Sequence, residues 1–295
     1  LNTTHTARKR FGQHWLQSEK ALAQIVNAAA LQPTDRVLEI GPGTGILTRR
    51  LLPLAQSVVC VEIDRDLCKL LVKQFGQAEN FLLLQGDILS LSLPELLSQY
   101  PAFQNPNKVI ANIPYNITGP ILELLLGTIA HPNPQPYESI VLLMQKEVAE
   151  RLTANPGSKA FGALSVRVQY LADCTWIADV PAKAFQPPPK VDSAVVRLAP
   201  RSIDPAATDP RKLDTLVKLG FATKRKMLRN NLKSVVDRDK LTELLESMQL
   251  NSQVRAEDLS VENWVMLSNS FSDDLSDMKV NSEAIEEETH ARSSE

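Results

Sequence analysis

Five short Val/Ile/Leu-rich runs alternate with helical segments between residues 37 and 144, and this alternation constrains the fold more than any other feature. The runs occupy 37–40, 58–63, 81–84, 109–111 and 140–144. Helix candidates lie between them at 45–53, 64–75, 93–100 and 119–130. Pro120 is expected at the first position of the last of these, where a missing N–H costs nothing. Near-continuous apolar runs imply strands covered on both faces. Strand–helix–strand repetition implies right-handed crossovers and a parallel sheet, hence an α/β fold. Ahead of the first strand, Leu22, Ile25, Val26 and Ala29 recur at i, i+3, i+4, i+7, which predicts an amphipathic helix over 19–31.

The second half is organised differently. Helix candidates at 145–154 and 159–167 are followed by strand-like runs at 170–180 and 191–198. These flank Pro187-Pro188-Pro189 and are expected to pair antiparallel at the sheet edge. A linker rich in Pro, Ala and Asp covers 200–210, and 210–270 reads as purely helical. The expected division is a large domain over 1–200, a small helical domain over 201–271 and an acidic, disordered tail over 272–295. That tail holds eight acids and two bases, a net of −6 against −2 for the whole chain, which leaves +4 for residues 1–271. A mildly basic body suits a polyanionic partner.

Several classes are excluded on simple grounds. No apolar run approaches the ~20 residues that span a bilayer. Arg8-Lys9-Arg10 has no apolar stretch behind it, so no secretory signal is expected. Cys60, Cys68 and Cys174 have no metal-ligand spacing and the four histidines are scattered, so no metal site is expected.

The chemistry collects at the predicted strand ends. The first strand runs into Gly41-Pro42-Gly43-Thr44-Gly45. Glycines there allow positive φ and close approach of a ligand. Glu62 ends the next strand and suits a ribose diol. A dinucleotide fold would read G-x-G-x-x-G. Here the spacing is G-x-G-x-G with a proline inside, which fits a nucleoside ligand lacking a pyrophosphate, such as S-adenosylmethionine. Asp87 is placed to accept from an adenine amine and Ile88 to pack on the ring. Asn112-Ile113-Pro114-Tyr115 closes the fourth strand. Its Asn oxygen and the Ile113 carbonyl can accept from an exocyclic amine while Tyr115 stacks on the base that bears it. Pro187–Pro189 is stiff and would hold Phe185 as a second wall. Finally, Thr223 is expected to cap a helix bearing Arg225, Lys226, Arg229 and Lys233 as one stripe, opposite Met227, Leu228 and Leu232. No acid occurs from 217 to 236, which suits phosphate contacts.

Taken in order, Gly12-Gln13-His14-Trp15-Leu16, the 39–45 turn, Val61-Glu62-Ile63-Asp64, Gly86-Asp87, Asn112-Ile113-Pro114-Tyr115-Asn116-Ile117, Gln145-Lys146-Glu147-Val148, the 185–193 segment and the 224–232 basic stretch resemble the ribosomal RNA adenine dimethyltransferase family. The resemblance spans about 7–270. It implies a Rossmann-like, seven-stranded class I methyltransferase sheet with its last strand antiparallel, plus a small C-terminal helical domain. It implies S-adenosylmethionine-dependent dimethylation of two adjacent adenines in the 3′-terminal hairpin of 16S rRNA, during assembly of the 30S subunit. It places cofactor contacts on His14, Leu16, Gly41, Glu62, Asp87 and Asn112, with Gly43, Ile63 and Ile88 beside them. The expected catalytic set is Asn112, Ile113, Pro114, Tyr115 and Phe185, with the Ile113 side chain making room for a first methyl. A monomer in the bacterial cytoplasm, or in an organelle of bacterial descent, is expected. The chain departs from the family's usual Asn-Phe at His14-Trp15. A non-catalytic RNA-binding factor and a large-subunit dimethyltransferase are the rival readings.

Overall fold

The computed structural model describes residues 13–271. The basic run at 8–10, Gly12 and the acidic tail at 272–295 lie outside the described residues. The chain opens with β1 (Trp15–Leu16) and α1 (Glu19–Ala29), and α1 starts where the Ser18 hydroxyl accepts from the Ala21 N–H. There follow β2 (Arg36–Ile40), α2 (Thr48–Leu51), β3 (Ser57–Glu62), α3 (Arg65–Phe75), β4 (Phe81–Gln85), α4 (Leu93–Leu97), β5 (Lys108–Asn112), α5 (Thr118–Leu126) and β6 (Ser139–Gln145). After α6 (Lys146–Leu152) and α7 (Ala163–Leu171) come β7 (Ala172–Val180), β8 (Phe185–Gln186) and β9 (Ser193–Pro200).

Seven strands form one sheet in the order β4-β3-β2-β5-β6-β9-β7. β2 to β6 are parallel, while β9 runs antiparallel to both β6 and β7. The apolar runs are continuous because successive residues serve opposite faces. Along β6, Ile140 and Leu142 enter one core while Val141 and Leu143 enter the other, and all four are fully buried. α1 and α2 cover the second face, and α5 and α7 the first. β1 and β8 pair antiparallel outside the sheet, with Leu16 opposite Phe185.

Three boundary expectations need correction. The 45–53 helix is reduced to α2, because the first residues of that span belong to the glycine turn. The 159–167 helix begins four residues later. Gly162 is extended there, and its N–H is held by the Ser165 hydroxyl. Pro120 is the third residue of α5 rather than the first, which is harmless because that N–H also lacks an intrahelical acceptor.

The C-terminal helices α8 (Pro210–Gly220), α9 (Leu228–Asn231), α10 (Arg238–Ser247) and α11 (Val261–Ser270) share the core of the sheet's first face. Leu213, Leu216 and Trp264 are buried in it, and a Cβ at Gly220 would meet the Trp264 ring at 2.4 Å. Arg167 of α7 pairs with Asp214 of α8 at 2.9 Å. The expected basic helix is absent. Asn231 donates to the carbonyls of Gly220 and Thr223, and Met227 bridges Arg255. These contacts pull 221–227 into a turn, so Thr223 caps nothing and only 228–231 is helical.

Candidate active site

Because β4, β3, β2 and β5 are neighbours and parallel, Asp87, Glu62, Gly41 and Asn112 follow one another along a single sheet edge. Chain direction across the sheet reverses between β2 and β5, the place where open α/β sheets form a crevice. A cavity of about 350 Å³ sits there. It is lined by His14, Gly41, Gly43, Glu62, Ile63, Asp87, Ile88, Asn112, Ile113, Pro114 and Tyr115 among the predicted residues, and by Gln13 and Trp15. Ile63 is 44% exposed beside buried Ile88, so a flat apolar ring has a surface to cover. Asp87 spends one oxygen on the Leu89 N–H at 3.0 Å, which leaves the other as an acceptor.

Two carboxyls are sunk behind the edge. Glu62 accepts from the Gly43 N–H at 3.1 Å and the Asp64 N–H at 2.9 Å, so it fixes the glycine turn. Burial pushes its pKa up, and the amides of Asp64 and Gly43 only partly oppose this. A carboxylate has about four acceptor positions, so a diol can still be bound. Glu39 lies deeper and accepts from the Thr48 hydroxyl at 2.7 Å and the Cys60 thiol at 3.3 Å. Burial raises its pKa to about 7. The glycines divide their work. Gly41 and Gly43 have φ of +65° and +60°, and a Cβ at Gly43 would come within 3.3 Å of the Trp15 ring. Gly45 serves packing, since a Cβ there would stand 2.4 Å from Phe75 of α3.

The strap β1 roofs this turn. The His14 carbonyl accepts from Asn112 Nδ2 at 3.2 Å, which leaves Asn112 Oδ1 as the acceptor for a ligand. This contact uses the His14 backbone and does not depend on its side chain. Its ring instead donates from Nδ1 to the Pro187 carbonyl at 2.8 Å and stacks on Tyr115, with centroids 5.8 Å apart and planes at 21°. Trp15 Nε1 is buried with no partner among the described residues. The Tyr115 hydroxyl shares a 2.6 Å hydrogen bond with the buried Ser193. Burial raises the phenol pKa, and the bond to Ser193 opposes that.

Two expected site residues, the wall Phe185 and the cofactor contact Leu16, are placed elsewhere. Phe185 is 3% exposed and its ring joins the core with Leu16, because the β1–β8 register turns both side chains inward. Neither lines the main cavity. The 185–193 segment serves the site through Ser193 and Pro187 instead. The Ile113 side chain is 1% exposed and packed in the core, so it does not open space beside the cavity as expected. Arg225, Lys226 and Lys233 are exposed and Arg229 is half-buried, on a loop and a short helix rather than one stripe. Among the described residues no group of His, Cys, Asp or Glu could hold a metal ion, and no helix is long and apolar enough to cross a membrane.

The residues present fit S-adenosylmethionine: an acceptor and an apolar wall for its base, a carboxylate for its diol, and a glycine cradle under an orphaned indole N–H. Comparisons with known proteins agree. Ribosomal RNA small subunit methyltransferase A of Trichormus variabilis is 70% identical over 262 residues, covering 89% of this chain and 97% of that protein. The protein of that name from Synechocystis is 60% identical over 270 residues, covering 89% and 95%. Among solved structures, a dimethyladenosine transferase from Plasmodium falciparum superposes with a TM-score of 0.72 at 28% identity, covering 86% and 96%. The 23S rRNA methyltransferase ErmE superposes with 0.69 at 28%, covering 86% and 98%. A profile described as Ribosomal RNA adenine dimethylase matches residues 4–273, and the chain belongs to that family.

Proposed function

We propose that this protein dimethylates the exocyclic amines of two adjacent adenines in the 3′-terminal hairpin of 16S rRNA, within the assembling 30S subunit. The observation that carries the reading is Asn112, at the meeting point of the strap and the strand ends, with Oδ1 left over after Nδ2 is bound by His14. S-adenosylmethionine would supply an electrophilic methyl on a sulfonium. An adenine amine is a poor nucleophile because its lone pair is delocalised into the ring. Hydrogen bonds accepted by Asn112 Oδ1 and the Ile113 carbonyl localise that pair. Pro114 has no N–H to compete for those acceptors and sits at φ −61°, ψ 134°, which aims the turn. Tyr115 stacks on the flipped base, at roughly 1–3 kcal/mol per stacked base. No strong base is required, since the amine proton can leave after transfer. Arg225, Lys226, Arg229 and Lys233 meet RNA phosphates as a basic loop.

The 70% identity to a small-subunit enzyme, against 28% to ErmE, supports 16S over 23S rRNA. Intact Gly41, Glu62, Asp87 and Asn112 support catalysis over a purely structural RNA-binding role. We read the protein as a monomer acting in the cytoplasm of a bacterium, the location being supported by relatives from Trichormus variabilis and Synechocystis. The test is transfer of labelled methyl to undermethylated 30S and to 50S particles. The wild type should label 30S alone, and Asn112→Ala should lose about 100-fold in rate. Preferential labelling of 50S would sink the 16S assignment, and near-normal transfer by the variant would sink the role of Asn112.

A further inference from the structure

We infer that the Trp15 indole N–H is a direct contact to the carboxylate at the amino-acid end of S-adenosylmethionine. The inference rests on the functional reading above and adds to it a residue that the sequence analysis left unassigned. Trp15 lines the cavity, yet its Nε1 is buried without a partner among the described residues. An indole nitrogen is a donor only, and a buried donor with no acceptor is destabilising until something fills the gap. The ring cannot readily turn away to find water. Its backbone pairs with Gln186 across the β1–β8 ribbon, and the preceding carbonyl is held by Asn112. Its Cδ1–Nε1 side lies against the glycine turn, where a Cβ built on Gly43 would be 3.3 Å from Cδ1 and 3.6 Å from Nε1.

The order of the strand ends gives the ligand a direction. The base belongs at Asp87 and Ile88, the diol at Glu62 and the reactive methyl at Asn112. What remains is the amino-acid end, which falls over Gly41 and Gly43 beneath the strap. At that end the ammonium and the sulfonium offer no acceptor, and only the carboxylate does. A hydrogen bond from an uncharged donor to a carboxylate in a water-poor cavity is among the stronger kinds. Phenylalanine, the usual family residue here, fills similar space without the donor and could not make this contact.

Trp15→Phe isolates the N–H. In calorimetric titrations of the whole protein, the variant should bind S-adenosylhomocysteine about tenfold more weakly than wild type. It should bind 5′-methylthioadenosine, which keeps the nucleoside and thioether but lacks the amino-acid end, within about twofold of wild type. Equal affinity of the two proteins for S-adenosylhomocysteine overturns the inference. So does an equal loss for both ligands, which would make the ring's packing the cause. Failure of the wild type to bind S-adenosylhomocysteine at all would instead bring down the functional reading.

Discussion

At the amino ends of β2 and β5, Asp35 and Lys108 are buried and pair at 2.8 Å. Asp35 also accepts from the Gln32 N–H and Asn107 Nδ2, and Asn107 Oδ1 accepts from the Arg36 N–H. Lys108 Nζ reaches the Ala29 and Ala30 carbonyls at 3.2 and 2.9 Å and so closes the C-terminus of α1. At the carboxyl ends of β2 and β3, Glu39 and Glu62 are as deeply buried, but no cation pairs with either among the described residues. Trp15 Nε1, against the glycine turn, also has no partner among the described residues. Burial acts on both ends. At Asp35 it is outweighed by the bonds from Lys108, Gln32 and Asn107, and the pKa falls. At Glu39 and Glu62 it prevails, and the pKa rises. One end is a finished polar network that holds the fold, while the other keeps its groups open for a ligand at some expense in stability.

Cutting the finished end should have the largest effect. Lys108→Ala strands a buried carboxylate and two helix-end carbonyls, so urea unfolding should show a loss of about 3–5 kcal/mol. Affinity for S-adenosylhomocysteine, measured on the folded variant, should stay within a factor of about two. A tenfold drop in that affinity would show that the two ends are coupled and would break the comparison. The next effect is a pH dependence of opposite sign at the two ends. Asp35 titrates lower in the fold than in the open chain, so its contribution is lost as pH falls through its folded pKa, in acid. Glu39 titrates near 7 in the fold against 4.5 in the open chain. Its contribution is full below 4.5 and is lost as pH rises through about 7. At 1.36 kcal/mol per unit, the loss across that window is about 3 kcal/mol. Glu39→Gln keeps an oxygen for Thr48 and Cys60 but cannot ionise. Unfolding free energies at pH 5 and pH 8 should differ by less in the variant, by that amount, and parallel profiles would remove Glu39 as the cause.

The two ends also differ in how far they can be read from sequence. Gly41, Glu62, Asp87 and Asn112 were legible because parallel strands all finish on the same side, so strand ends alone bring them together. Asp35 and Lys108 stand far apart in the chain with no local motif to link them, and their pairing follows only from the β2–β5 adjacency. The strap escaped for a related reason, since two-residue strands such as β1 and β8 have no periodicity to detect. Its register sent Phe185 into the core and left Trp15, an unassigned residue, over the glycine turn. The basic helix was misjudged because helical spacing is a local signal. The Asn231 amide and the Met227–Arg255 bridge override it from outside the segment.

The smallest effect concerns a side-chain link between the open end and the antiparallel edge of the sheet. The Tyr115 hydroxyl and Ser193 Oγ are 2.6 Å apart, and Ser193 begins β9. If Tyr115 served the RNA base through its ring alone, deleting the hydroxyl would change nothing. The bond instead fixes the ring's tilt against His14, whose own ring is anchored by the Pro187 carbonyl. Tyr115→Phe removes a hydrogen bond of about 1 kcal/mol and leaves Ser193 buried without it. The stacking face survives, so the maximal rate should fall only slightly. KM for the 30S substrate should rise about fivefold, the equivalent of that bond. Affinity for S-adenosylhomocysteine should not move, because neither Tyr115 nor Ser193 holds the nucleoside. A rise in KM that Ser193→Ala reproduces, with no further rise in the double variant, would assign the effect to the pair. Additive losses would mean that each residue acts alone, and that the antiparallel edge does not help position the base.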